Sequence, residues 1–169
     1  YYSPSDKSSV SGIFATLGNG FASQLQKDAD WALAFGLKRI AYEGGPGMDR
    51  TSNTTQDANQ AAAWADARMT QAVINQHATW DRNAGDLLVY FSLTGDFQWA
   101  FMEDVLTPVS PKTQAVAAIA AATPAVSTYG TAVPGSIAAS SAAVPPVWAR
   151  SGTSLGANGW LGYPVKVTT

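Results

Sequence analysis

The sequence has no cysteine and a single histidine, His77. The first absence excludes disulfides, thiolate metal sites and a cysteine nucleophile. The second leaves no multi-histidine metal centre and only one residue to serve as the base of a serine triad. Charge is also sparse, at 13% of the 169 residues, with 12 acidic against 10 basic side chains and a formal net charge of -2. Those charges are scattered, so the chain has no positive field to hold a phosphate backbone, and nucleic acid is not an expected partner. Long apolar runs are missing too. None approaches the ~18 to 20 residues that cross a bilayer, and the N-terminus lacks a charged start followed by an apolar signal core, so no membrane contact is expected.

What is present is enough apolar side chain, 46%, to build a core, with too little charge for a disordered tail. The composition, rich in Ala, Ser, Thr and Gly and free of cysteine, suits a secreted bacterial protein. The start at Tyr1-Tyr2-Ser3-Pro4, without an initiator Met, suggests that a signal or a larger upstream part has been removed.

Residues 1 to 20 are rich in Ser and Gly and read as a loop. Phe21, Leu25, Ala29, Ala32 and Leu33 then recur at helical spacing, and Gly36 is a natural stop. Lys38 to Tyr42 reads as a buried strand, ended by Glu43-Gly44-Gly45-Pro46-Gly47, where glycine and proline force a turn. From Gln56 one long helix is expected, with Ala61, Ala65, Met69, Val73, Gln76 and Trp80 on one stripe and its end near Asn83-Ala84-Gly85. Leu87 to Leu93 is a nearly continuous apolar run, as in a strand covered on both faces of a parallel sheet. Ser110-Pro111 supplies a cap and a first-turn proline for a helix over Lys112 to Ala122. The alternation of helix and strand is that of an α/β parallel sheet. Residues 123–147 read as a Pro/Ala/Ser-rich linker, and 148–169 as the start of a β-rich unit with a strand at Trp160 to Val167.

In parallel α/β architectures the active site forms at the C-terminal ends of the strands. Glu43 follows the first strand, and the Thr94 to Met102 stretch with Phe97, Gln98 and Trp99 follows the second. A carboxylate fixed at a strand end beside glycines suits a glycosidase nucleophile, and an indole near it can stack on the flat C–H face of a sugar. Against these stand plainer readings: a solvated loop carboxylate for Glu43, and core packing for Trp99, Phe97 and Tyr90. Tyr42 could hydrogen-bond Glu43 or fill the interior. His77 has no second ligand at metal spacing, and Asn53-Thr54-Thr55 matches a glycosylation acceptor of a pattern common by chance.

The run Gly36-Leu37-Lys38-Arg39-Ile40-Ala41-Tyr42-Glu43-Gly44-Gly45-Pro46-Gly47 resembles the seventh strand and following loop of clan A (β/α)8 glycoside hydrolases. Asp86 to Trp99 with Ser110-Pro111-Lys112 looks like the eighth strand, its aromatic loop and the last barrel helix, and Tyr1-Tyr2 is similar to residues just beyond the sixth strand. The resemblance implies that residues 1–122 are the C-terminal part of a (β/α)8 TIM barrel, that Glu43 is the nucleophile of a retaining glycosidase, and that Tyr42, Phe97, Gln98 and Trp99 contact a poly- or oligosaccharide outside the cell. No cofactor and no metal are expected. The acid/base residue of that clan lies at the fourth strand and has no counterpart here, and a barrel takes ~250 residues. The polypeptide alone is therefore expected to be inactive, and its partner would be the missing N-terminal part of the barrel.

Val133 to Ala139 and Trp160 to Val167 look like opening strands of a β-sandwich carbohydrate-binding module, although Ala139 and Ser140 stand where such modules carry a Glu. Two other readings stay open: a non-catalytic carbohydrate-binding or scaffold protein with a degenerate barrel, and a self-sufficient small α/β domain.

Overall fold

Helix α1, Val10–Thr16, opens the computed structural model, which describes residues 1–127, 136–140 and 147–151. A loop was expected there. The Ser9 side chain accepts from the Gly12 amide, and Ile13 is fully buried, so seven residues too short to be helical alone are held by a cap and by packing. Helix α2, Phe21–Ala34, follows as expected, burying Phe21, Leu25 and Ala29 on one stripe.

Strand β1, Arg39–Gly44, and strand β2, Gly85–Tyr90, pair in parallel. Parallel neighbours need a long crossover, and here it contains two helices, α3 (Thr54–Ala65) and α4 (Arg68–Arg82), where one was expected. The break lies at Asp66, whose backbone is extended at φ -75° and ψ 136°. Its carboxylate accepts from the Arg68 amide at 2.9 Å and from the Arg68 guanidinium at 2.7 and 3.0 Å. These hydrogen bonds hold the Asp66 carboxyl down at about 2. The ladder of α3 ends where this local alternative begins. Asn53, noted above as a possible glycosylation acceptor, caps α3 by accepting from the amides of Thr55 and Gln56.

Helix α5, Pro111–Ala121, starts at the predicted Ser110 cap, with a reciprocal bond between Ser110 and Thr113. The core joins Ile13 of α1, Met69 and Val73 of α4, Ala115 of α5, and Met48 and Phe101 from the loops after the strands. Ala41, Leu88 and Tyr90 pack against it from one face of the sheet.

The other face departs from expectation. Ile40, Tyr42, Leu87 and Val89 are exposed, so among the described residues the sheet is covered on one side only. The result is a small α/β fold whose two-stranded parallel sheet is not closed into a barrel. The second strand also ends earlier than the apolar run, at Tyr90 rather than Leu93. No helix among the described residues is long and apolar enough to cross a membrane.

Strands β3, Ser136–Ser140, and β4, Val147–Ser151, pair antiparallel. Strand β3 falls inside the stretch read as a linker and overlaps Val133 to Ala139, which was likened to an opening strand. The strand expected at 160–167 lies outside the described residues.

Candidate functional site

Glu43 lies within an irregularity of the sheet. Ala41 pairs with Leu88 and Gly44 with Tyr90, so β1 spends three steps where β2 spends two. Strict alternation would put Glu43 on the Ala41 face, against the helices. The extra residue is an irregularity of the kind found beside binding sites, and Glu43 stays half-buried, as Ala41 is. Glu43 is half-buried and lines a cleft of about 310 Å³ together with Tyr1, Ser3, Gly47, Asp49, Phe91 and Trp99.

The glycines after Glu43 have specific work. Gly45 sits at φ +135°, a conformation that side chains rarely tolerate, and its backbone lies against Phe101 and Tyr90. A Cβ on Gly47 would come within 2.8 Å of Ser3 Oγ. That space admits the N-terminal segment. The Tyr2 amide donates to the Gly45 carbonyl at 3.2 Å and the Gly47 amide to the Tyr2 carbonyl at 2.9 Å, a parallel bridge between Tyr2 and Pro46 beside the end of β1. Tyr1 and Ser3 reach the cleft by this route. The Tyr1 phenol is raised above its ordinary value by partial burial first, then by the Glu43 charge and a hydrogen bond to the Glu43 carboxylate.

Trp99 enters from the loop after β2, and its indole N–H donates to Asp49 Oδ1 at 3.2 Å. Side chains behind it hold three successive carbonyls of the loop. Lys112 Nζ lies 3.5 Å from the Trp99 oxygen, Trp64 Nε1 donates to that of Ala100 at 2.7 Å, and Ser110 Oγ donates to that of Phe101. The loop closes on itself through the Met102 amide to the Leu93 carbonyl at 3.0 Å and the Phe101 amide to the Ser92 carbonyl at 2.9 Å. It joins the loop after β1 through the Met48 amide and the Gln98 carbonyl at 2.9 Å.

Of the five residues expected at a site, the cleft gathers Glu43 and Trp99. Phe97 and Gln98 lie behind it, where Arg50 ties them together. The Arg50 guanidinium sits 4.9 Å from the Phe97 ring centroid and pairs with Asp96 at 2.8 Å. Gln98 accepts from the Arg50 amide at 3.3 Å and donates to Asp96, whose carboxyl is lowered by the Gln98 amide and by Arg50. Tyr42 is 82% exposed on the open face of β1 and does not line the cleft. Tyr1, Ser3 and Asp49 were not foreseen. The two at the chain start sat in an assumed loop, and Asp49 carries no local signal.

His77 lies away from the cleft, with Nδ1 paired to the Tyr90 hydroxyl at 2.7 Å and Nε2 3.7 Å from Asp81. No group of three metal-ligating side chains occurs among the described residues. No protein-family model matches the chain, and no curated protein or solved structure does.

Proposed function

We propose that this chain is the C-terminal part of a secreted retaining glycoside hydrolase with a (β/α)8 barrel, with Glu43 as its nucleophile. The observation that carries the reading is the convergence of Glu43 and the Trp99 indole on one cleft at the C-terminal ends of adjacent parallel strands. That is where parallel α/β folds build active sites. In double displacement, a Glu43 oxygen attacks the anomeric carbon as the glycosidic C–O bond breaks, and the leaving oxygen takes a proton from an acid. Water then attacks the same carbon and releases Glu43, giving its proton back to that acid. The Tyr1 hydroxyl would orient the attacking carboxylate, and the Trp99 face would seat the ring. Among the described residues the cleft carries carboxylates at Glu43 and Asp49 and no lysine or arginine side chain, a setting that favours the positive charge developing on the sugar.

The acid would come from the part of the barrel that completes the sheet. Parallel sheets are covered on both faces, and the bare face of Ile40, Tyr42, Leu87 and Val89 is where further strands would curl over.

The test uses the complete assembly with activated 2-deoxy-2-fluoro-glycosides, whose glycosyl-enzyme intermediates hydrolyse slowly. Mass spectrometry should find one added glycosyl group on the peptide carrying Glu43, and none in Glu43→Gln. Glycoside turnover that persists in Glu43→Gln would overturn the assignment. Sugar binding with neither labelling nor turnover would favour a non-catalytic carbohydrate-binding protein.

A further inference from the structure

We infer that Asp49 determines the specificity of this cleft: one oxygen fixes the Trp99 indole, the other is offered to a sugar hydroxyl, and with Glu43 it selects neutral over anionic sugars. The inference rests on the sugar-binding reading above.

Asp49 is held too firmly for an ordinary surface carboxylate. Its carbonyl accepts from Lys7 Nζ at 3.0 Å and from Gln60 Nε2 at 3.1 Å, and Gln60 is fully buried in α3. The preceding residue, Met48, is fully buried and bonded to the Gln98 carbonyl. With the backbone fixed on both sides, the side chain stands at the cleft wall, where Oδ1 accepts the indole N–H. This bond fixes the rotation of the Trp99 ring, and with it the plane on which a sugar would stack. Oδ2 has no hydrogen-bond partner among the described residues.

An ionised carboxylate only accepts hydrogen bonds, so the group it recognises must be a donor, such as a ring hydroxyl. A uronate or sulfated sugar would bring another negative charge to a wall that already holds two. Among the described residues, no lysine or arginine side chain lines the cleft to offset it. The neighbouring cations are engaged elsewhere: Lys7 on the Asp49 carbonyl, and Arg50 on Asp96 and the Phe97 ring. Repulsion of this kind rejects a ligand without adding affinity for the accepted one.

The experiment measures binding of matched aryl glycosides to the complete assembly by calorimetry or ligand-detected NMR. Aryl glucoside is set against aryl glucuronide and aryl galactoside against aryl galacturonide, so each pair differs only in a CH2OH or carboxylate at one carbon. Wild type should bind the neutral member of the preferred pair about tenfold or more tighter than its uronide, a ratio that narrows as salt rises. Asp49→Asn keeps an oxygen for the indole and removes the charge, and should cut the ratio severalfold. Asp49→Glu should retain it, and a merely structural role would not separate these two variants. An unchanged ratio in Asp49→Asn, or a wild-type preference for the uronide, overturns the role of Asp49 and leaves the sugar site standing. Failure of wild type to bind any of the four overturns both readings.

Discussion

Lys112→Met should stabilise the protein at neutral pH, and the gain should vanish in alkali. Lys112 has no exposed surface, and burial pulls its amine down from 10.5 to about 7. Among the described residues its partners are the Trp99 carbonyl at a long 3.5 Å and the Phe101 ring centroid at 5.3 Å, with no carboxylate to offset the charge. The second residue of α5 is also where the helix dipole disfavours a cation. Between about pH 7 and 10.5 the unfolded chain holds the proton and the folded chain does not, so raising the pH favours folding. Below about 7 both states hold it, and the full cost is present, roughly 5 kcal/mol by linkage. Methionine keeps the unbranched stem and loses the two amine contacts, about 2 kcal/mol together. A net gain of about 3 kcal/mol is expected at pH 7 and below. Urea titrations of both proteins from pH 6 to 10 read the difference directly, and other groups cancel. That includes Tyr2 and Tyr90, which burial raises and which oppose folding above about pH 10. A difference independent of pH, or a variant less stable than wild type at pH 7, refutes the reasoning.

Three further substitutions test the scaffold. Asn53→Ala removes the acceptor of the Thr55 and Gln56 amides and should cost about 1 kcal/mol in a denaturant titration, with Asn53→Asp close to neutral. Tyr2→Phe deletes a buried hydroxyl that has no partner among the described residues, so its melting temperature should equal or exceed that of wild type. Gly45→Ala forces a side chain into φ +135° and should cost about 1 to 3 kcal/mol, while the same change at exposed Gly36, φ +65° with open space, should cost about 1.

Elements with a start or stop written in adjacent residues were legible. Ser110-Pro111 announced α5, Gly36 closed α2, and Ile40-Ala41-Tyr42 gave β1. The interruption at Asp66 was not, because Ala65 and Ala67 both favour a helix and only the Asp66 carboxylate on the Arg68 amide decides against it. Helix α1 was hidden in a Ser/Gly-rich stretch, although Ser9 three residues before Gly12 was a capping signal. The site divided in the same way. Glu43 and Trp99 follow strands and could be placed by rule. Asp49 and Tyr1 are brought in by contacts between distant segments, and Tyr42 follows the strand alternation onto the open face with Ile40, away from the cleft.

Because the Tyr2 amide and carbonyl both bond across to the turn after β1, the first three residues act as a strap over the edge of the cleft. Releasing two hydrogen bonds would withdraw the Tyr1 phenol and the Ser3 hydroxyl together. Any ligand that touches either residue would tighten the strap, and anything that loosens the strap would weaken that ligand by the same free energy. Local opening of this segment is here coupled to what the molecule can hold.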